Sequence, residues 1–296
     1  MTEGNKLMLD RIRNSFGMRI AVLFGSFFVL LIVTSMLSIG INTIPGISER
    51  TSGLIAATIQ CLLVFCVPAW ILGKYSSGNP MTWLRLKSSP GIKPFIGVLI
   101  VYFLFMPAME WLITWNENLH LPAAMSALEE TLRNLENAGN EASAKLLATS
   151  GIGGLLSGIL VIGILTGFSE EVFFRGGVQG IFIRSSMSSG TAIWVAAFIF
   201  SFFHFQFFGF FPRLLMGAFF GYLLVWTKSL WVSIFAHAFN NSLVVIDSAN
   251  LSGDGKLGDV GNLDMIIGSF NIGPAVSLVA TIIFFFFFKN YFFRKS

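Results

Sequence analysis

Residues 152–183 read IGGLLSGILVIGILTGFSEEVFFRGGVQGIFI, an apolar stretch that is interrupted by Glu170, Glu171 and Arg175. An apolar run of about 20 residues is long enough to cross a bilayer as an α-helix, and this stretch exceeds a single crossing. A charged side chain inside hydrocarbon costs about 3 kcal/mol, and such residues mark functional sites by default. The stretch therefore predicts a membrane helix that carries a polar functional site.

The composition of the whole chain is that of a membrane protein. The 296 residues are 54% hydrophobic and 11% charged, and the mean hydropathy is +0.76, whereas about 25% of the residues in a soluble domain are charged. The apolar runs do not alternate as the strands of a membrane barrel would. We therefore predict an all-α membrane protein, in which residues 1–296 form one integral membrane domain.

Eight apolar runs are predicted to span the membrane as a polytopic helical bundle. The first run is too long for the apolar region of a signal peptide, which has about 7–15 residues, although basic residues precede it. The short segment Gly209–Arg213 predicts a helical hairpin made by the fifth and sixth spans. The eight predicted spans are Ile20–Ile41, Leu54–Leu72, Phe95–Trp115, Ile152–Ile183, Thr191–Phe208, Leu214–Trp226, Leu230–Ile246 and Ile272–Phe288.

The basic residues of the loops predict the orientation of the bundle. Thirteen of the 19 lysines and arginines, beginning with Lys6, Arg11, Arg13 and Arg19, fall on the side of the N-terminus, and five fall on the other side. Because basic residues are retained in the cytoplasm, we expect both termini to be cytoplasmic and the protein to lie in a bacterial inner membrane. The basic residues form no patch with interleaved aromatic residues, so nucleic acid is excluded as a partner.

Two longer segments lie outside the predicted spans. Asn116–Ser150 predicts an amphipathic helix that lies on the outer face of the membrane or caps the bundle. Asp247–Asn271 is rich in Gly, Asn and Asp and predicts a loop. The only cysteines, Cys61 and Cys66, share one apolar run and are predicted to be small buried side chains.

The first polar group lies in the fourth span. Glu171 and Arg175 are four residues apart with the acid first, which favours an ion pair within a helix. Glu170 is then turned about 100° away. Both acids could simply neutralise Arg175, but one carboxylate would suffice for that, and a second buried carboxylate is typical of a general base. We therefore predict a catalytic role for Glu170.

Two further polar groups follow in later spans. His204 ends the sequence Phe200-Ser-Phe-Phe-His204, and His237 lies four residues before Asn241. A single histidine in apolar surroundings is more often a core residue, but two of the three histidines of the chain occupy separate spans. The four-residue spacing places His237 and Asn241 on one helix face, where their N–H groups can converge on one oxyanion. Asn240 is rotated about 100° from that face and is predicted to point elsewhere.

The three groups together resemble the successive motifs of the CAAX prenyl endopeptidase and bacteriocin-processing (CPBP, or Abi) family of intramembrane proteases. The resemblance covers residues 152–246 and implies a helical bundle with a polar cavity inside the membrane. It implies an endopeptidase acting on a membrane-associated or lipid-modified protein or peptide, with membrane lipid around it. By analogy, Glu170 and His204 would activate water, His237 and Asn241 would stabilise the oxyanion, and Glu171 with Arg175 would position the catalytic helix.

Two alternatives remain open from the sequence. The family has been described as metalloproteases, and Glu170, His204 and His237 could hold a zinc ion with an open position. Neither an HExxH motif nor another close-spaced ligand pair is present, so the sequence does not decide between the two mechanisms, and of the two we favour the one without a cofactor. The second alternative is a protein of another class, a non-proteolytic scaffold, immunity factor or regulator that uses the same cavity for binding.

Overall fold

The structure is a computed structural model that describes residues 15–148, 151–251 and 273–293. The chain is an all-α polytopic membrane protein, 86% helical and without strands in these ranges. Helices begin and end with local signals such as Ser15, whose hydroxyl accepts the N–H of Met18. The described helices are α1 Phe16–Asn42, α2 Glu49–Ser77, α3 Lys93–Glu117, α4 Ser126–Leu147, α5 Gly151–Arg184, α6 Ser189–Phe202, α7 Phe210–Thr227, α8 Leu230–Leu251 and α9 Pro274–Phe293.

Seven of the described helices are long and apolar enough to cross a membrane, which confirms the polytopic bundle. Among the eight predicted spans the exception is the fifth, Thr191–Phe208, which is wrong in its length and corresponds to the shorter helix α6. The helix stops at Phe202, and Phe205 adopts a left-handed backbone conformation with a φ of 52°, which a helix cannot contain. The apolar pattern missed this end because the residues beyond it are also aromatic.

The predicted loop Gly209–Arg213 is also wrong. The chain returns through residues 203–209, which include a 3₁₀ turn at Phe207–Gly209, and Phe210–Arg213 form the first turn of α7. The helices α6 and α7 nevertheless pack along each other as the predicted hairpin. His204 consequently lies in the turn between two helices and not inside a span.

The predicted amphipathic helix is present as α4. It contacts the turn after His204, because Glu136 Oε2 accepts the N–H of Phe208 at 3.0 Å and Asn140 Oδ1 accepts from Gln206 Nε2 at 2.9 Å. The helix therefore covers the segment that carries one of the predicted site residues.

The other predictions about segments and orientation have mixed outcomes. The helix α8 continues to Leu251, so the first part of the predicted loop Asp247–Asn271 is helical. The rest of that loop lies outside the described residues, as do Lys6, Arg11 and Arg13. The cytoplasmic location of both termini stays a prediction. Cys61 is buried and Cys66 half-buried, and both are free thiols.

Close packing of α5 against α8 brings the polar groups of the two helices together. At Gly167 an added Cβ would lie 2.8 Å from the backbone nitrogen of Ala238, so only glycine allows this approach. On its other side α5 packs into an aromatic core in which the rings of Phe27 and Phe173 are 5.0 Å apart. The helix also widens into π-helical turns at Val172–Gln179, directly after the two glutamates. Such turns often occur at functional sites.

Candidate active site

The ion pair predicted from the sequence spacing is present at the centre of the bundle. Arg175 Nη1 lies 2.7 Å from Glu171 Oε1, and both side chains are fully buried. Arg175 Nη2 also donates to the carbonyl of Gly217 at 3.0 Å, which joins α5 to α7. The guanidinium lies 4.4 Å above the ring of Phe200. A buried charge with these partners is compensated by a carboxylate, a carbonyl and an aromatic face.

Glu171 has a second partner that the sequence analysis did not identify. Its Oε1 lies 2.9 Å from Nδ1 of His237 on α8, at hydrogen-bond distance. With Nδ1 donating to this carboxylate, the Nε2 atom of His237 is turned to the other side, where Glu170 Oε2 lies 3.6 Å away. The imidazole therefore lies between two carboxylates.

Two aromatic rings fix the plane of the His237 imidazole. Phe220 on α7 stacks on it with centroids 4.9 Å apart and an interplanar angle of 20°. Phe200 on α6 meets it edge-on at 5.7 Å. Because two rings and one carboxylate hold the imidazole, its Nε2 atom has a defined direction.

His204 reaches the same region from the turn after α6. Its Nδ1 lies 2.8 Å from the carbonyl oxygen of Phe200, which accepts the hydrogen bond when Nδ1 carries the proton. The Nε2 atom is then left for another partner. Glu170 is close enough to interact electrostatically with both His204 and Arg213.

Asn241 is held by a chain of polar side chains. Its Nδ2 lies 3.4 Å from the carbonyl of Ile162, while its Oδ1 accepts from Asn240 Nδ2 at 3.2 Å. The Oδ1 of Asn240 in turn accepts from the hydroxyl of Tyr102 at 3.0 Å. Asn240 was predicted to point elsewhere, yet it binds Asn241. Tyr102 was not predicted, because a tyrosine in an apolar helix has no distinctive sequence spacing.

The side chains that could bind zinc according to the sequence are Glu170, His204 and His237. Within the described part of the chain, no three His, Cys, Asp or Glu side chains are arranged so that they could hold a metal ion, and this includes Glu170, His204 and His237. These residues do not fit the zinc site left open by the sequence.

A large apolar cavity lies on another face of α8. It has a volume of about 790 Å³ and is lined by side chains of α3, α6, α7, α8 and α9. Tyr102 and Asn240 form part of its wall, and Glu110 and Asp247 are its acidic residues. The polar chain that ends at Asn241 therefore begins at this cavity, although Glu170, His204 and His237 do not line it.

Comparison with known families gives one match, and it covers the helices that carry this site. Residues 152–243 match the family model described as "Rce1-like: Type II CAAX prenyl endopeptidase Rce1-like". This segment is Rce1-like. The match confirms the resemblance to the CPBP family, and all six predicted site residues fall inside the Rce1-like segment.

The Rce1-like segment covers about a third of the chain, from the start of α5 into α8. No curated protein and no solved structure matches the chain. The match supports an integral membrane enzyme of the CAAX protease type with a peptide substrate. The four helices before the Rce1-like segment, α1 to α4, supply further contacts to it, such as that of Tyr102 with Asn240.

Proposed function

We propose that the protein is an intramembrane endopeptidase in which Glu170 activates a water molecule for attack on a peptide bond. The observation that carries the proposal is the position of His237 between Glu171 and Glu170, at 2.9 Å and 3.6 Å. A buried imidazole that is oriented by one carboxylate and faces a second is an arrangement for proton transfer and charge stabilisation. The match to a prenyl endopeptidase family supports the same reaction class.

In the proposed reaction, the carboxylate of Glu170 takes a proton from water while the oxygen attacks the scissile carbonyl carbon. His204 helps to hold this water through Nε2, because its Nδ1 is engaged by the carbonyl of Phe200. The carbonyl π bond breaks and its electrons become the oxyanion of a tetrahedral intermediate. When the C–N bond then breaks, Glu170 returns the proton to the leaving amine, so that it is regenerated as a carboxylate.

His237 and Asn241 are proposed to stabilise the oxyanion. Because Nδ1 of His237 is directed to Glu171, its Nε2 faces the side of Glu170, where the tetrahedral intermediate would form, and an N–H at this atom would donate to the oxyanion. The Oδ1 of Asn241 accepts from Asn240 and one Nδ2–H points to the carbonyl of Ile162, so the second Nδ2–H is the donor proposed for the oxyanion. Glu171 and Arg175 act as positioning residues.

The substrate class proposed is a membrane-associated or lipid-modified peptide or protein. The apolar cavity of about 790 Å³ is of the size that accommodates a large apolar ligand group. The cavity would receive the apolar part of such a substrate from the lipid. Asn240 in its wall is hydrogen-bonded to Asn241, so the cavity adjoins the proposed oxyanion site.

Cleavage by the purified full-length chain tests the proposal. The probe is a quenched fluorescent peptide with a prenylated C-terminal cysteine motif, supplied in liposomes, with the unprenylated peptide as a comparison. Glu170→Ala and His204→Ala are each expected to lower the rate by about 10²-fold or more, the usual contribution of a general acid or base. Glu117→Gln removes an exposed acid outside the site and should leave cleavage unchanged. Full activity of Glu170→Ala would refute the assignment.

Two further measurements separate the alternatives. Cleavage that persists in the presence of chelators, by protein shown to contain no zinc, excludes a zinc-dependent reaction. A Glu170→Gln strain that keeps the full biological function would instead favour the non-proteolytic protein, because this variant retains the cavity and lacks the base. Neither measurement depends on knowing the natural substrate of the protein.

A further inference from the structure

Two arginines from separate parts of the chain lie over the ring of one tryptophan, and a third lies close to them, far along α5 from the glutamates. The guanidinium of Arg184 lies 3.9 Å above the ring of Trp83, and that of Arg19 lies 5.1 Å from the same ring. Arg85, two residues after Trp83, lines one small pocket together with Trp83 and Arg184. We call Arg19, Arg85, Arg184 and Trp83 the arginine cluster.

No carboxylate of the described residues compensates the charge of Arg85 or Arg184. Neither Arg85 nor Arg184 forms an ion pair within ranges 15–148, 151–251 and 273–293. The charges that act on Arg184 are those of the other two arginines, which repel it. Neighbouring like charges repel each other, and an anion bound among them would compensate this repulsion. Arg175, in contrast, forms an ion pair with Glu171.

The cluster has unused hydrogen-bond donors. Arg184 donates from Nη1 to the carbonyl of Gly180 and from Nη2 to that of Trp83, which leaves its remaining N–H groups without a protein acceptor. The side chain of Arg85 donates to no acceptor in the described chain. The Nε1 of Trp83 is buried and has no hydrogen-bond partner in the same ranges, although the residue is 5% exposed. The free N–H groups of Arg85 and Arg184 therefore form a donor surface with a positive charge, and the Nε1 of Trp83 lies buried beneath it.

The backbone of Arg85 is held in an uncommon conformation that sets the direction of its side chain. Its φ of 55° is in the left-handed region, which residues other than glycine adopt at a cost of about 1 kcal/mol or more. Its carbonyl accepts the N–H of Leu230, and its own N–H reaches the carbonyl of Thr82. Burial also lowers the pKa of Arg85. The loop therefore holds a partly desolvated guanidinium in place beside Arg184.

The position of the cluster along the helices identifies the environment of its ligand. Arg184 is the last residue of α5, Arg19 lies in the first turns of α1, and Arg85 lies in the link between α2 and α3. All three are thus at the same end of the bundle, where lipid headgroups meet the protein, and they lie on the side predicted to be cytoplasmic. Basic pockets between helices at this level bind anionic phospholipid headgroups.

We propose that the arginine cluster binds the phosphate group of an anionic phospholipid headgroup. Arginine guanidinium groups match phosphate oxygens in charge and geometry, and two adjacent forks can hold one phosphate by several N–H···O bonds. Arg184 is exposed and can be reached from the lipid, while Trp83 provides the aromatic face on which it is stacked. The site is separate from the proposed peptidase site and does not depend on proteolytic activity.

Lipid retention by the purified full-length protein tests the site. The protein is exchanged into detergent with phosphatidylglycerol or phosphatidylcholine, and bound lipid is counted by native mass spectrometry. Arg85→Gln is the main variant, because its side chain makes no hydrogen bond that folding would lose. It should reduce phosphatidylglycerol binding by about fivefold, given about 1 kcal/mol for each arginine near an anionic surface. Phosphatidylcholine binding should not change.

Matched variants make the outcome unambiguous. Lys87→Gln removes an exposed positive charge two residues from Arg85 and should keep phosphatidylglycerol binding at the wild-type level. Arg85→Lys keeps the charge and loses the guanidinium fork, so its binding should lie between that of the wild-type protein and that of Arg85→Gln. Equal thermal unfolding of lipid-free wild-type protein and Arg85→Gln would show that folding is intact. Wild-type lipid binding by Arg85→Gln, or an equal loss in Lys87→Gln, would overturn the proposal.

A second arm distinguishes the source of the phosphate. Thermal unfolding of the wild-type protein is measured with excess inorganic phosphate and with phosphatidylglycerol. Stabilisation by phosphatidylglycerol alone supports the lipid site. Equal stabilisation by inorganic phosphate, lost in Arg85→Gln, would overturn the lipid assignment in favour of a soluble phosphate ligand.

Discussion

Oε1 of Glu171 lies 2.9 Å from Nδ1 of His237, and this contact joins α5 to α8 at the centre of the bundle. The same oxygen is 2.7 Å from Nη1 of Arg175. One buried carboxylate atom thus serves an arginine on its own helix and a histidine on another. The Glu171 carboxylate must keep both its charge and its position, because otherwise the buried guanidinium of Arg175 would lose its ion-pair partner.

Replacing Glu171 by glutamine is expected to affect both stability and catalysis. The substitution keeps the size of the side chain but leaves Arg175 without its adjacent charge, which should cost about 3 kcal/mol of unfolding free energy. It should also lower kcat by about 10²-fold, because His237 loses the charged acceptor that orients it and the amide that replaces it can turn its NH₂ group toward the imidazole. Thermal unfolding in detergent and cleavage of the prenylated peptide measure the two effects. Glu117→Gln is the matched control, and an unchanged kcat in Glu171→Gln would contradict the positioning role.

The approach of α5 to α8 is expected to depend on Gly167. In Gly167→Ala the new methyl group would lie 2.8 Å from the backbone nitrogen of Ala238, so the helices must separate. Overpacking of this kind typically costs about 1–3 kcal/mol, and the separation should lengthen the contact of Glu171 with His237 and reduce kcat. Gly153→Ala is made on the same helix, where an added Cβ meets no atom within 4 Å. Equal stability and activity of the two variants would show that the close approach is unimportant.

The sequence predicted much of the fold because apolar length and helical spacing are local properties. Seven predicted spans correspond to long apolar helices, and the four-residue spacing of Glu171 and Arg175 correctly predicted their ion pair. The end of α6 was misplaced because phenylalanines continue past Phe202, and hydropathy does not register the left-handed residue Phe205 that ends the helix.

The contacts between helices could not be predicted from spacing alone. His237 was grouped with Asn241 because they share a helix face, yet its nearest polar partner is Glu171, 66 positions earlier in the chain. The tight packing at Gly167 and the π-helical turns of α5 determine which side chains meet, and neither follows from one segment read by itself.

The segment before and within α4 is expected to loosen in acid. The N–H of Leu121, with Arg133 and His120, lowers the pKa of Glu129 from its usual 4.5 to about 2. Because this pKa is lower in the folded state, the contacts contribute their full stability above about pH 4.5 and lose it as the pH falls toward 2. Hydrogen exchange of residues 119–133, corrected for the intrinsic effect of pH, should show the change. Glu129→Gln should abolish this pH dependence and Glu130→Gln should preserve it, and the same profile in both would contradict the assignment.

The hydroxyl of Tyr102 is expected to support catalysis through Asn240 and Asn241. Tyr102→Phe removes the hydrogen bond to Asn240 Oδ1, so that the Asn240 amide is free to turn and no longer fixes Asn241 Oδ1 as an acceptor. A hydrogen bond of this kind contributes about 1 kcal/mol, which corresponds to a decrease in kcat of about fivefold.

Steady-state cleavage separates this positioning role from a contribution of the cavity to binding. Tyr222→Phe removes a hydroxyl from the wall of the same cavity, but that hydroxyl has no hydrogen-bond partner in the described chain, so kcat should be unchanged. If Tyr102 positions Asn241, its variant should lower kcat while KM stays near the wild-type value, because the oxyanion develops only in the transition state. A higher KM with an unchanged kcat would instead place Tyr102 in substrate binding, and loss of the effect in an Asn240→Ala background would confirm that the hydroxyl acts through Asn240.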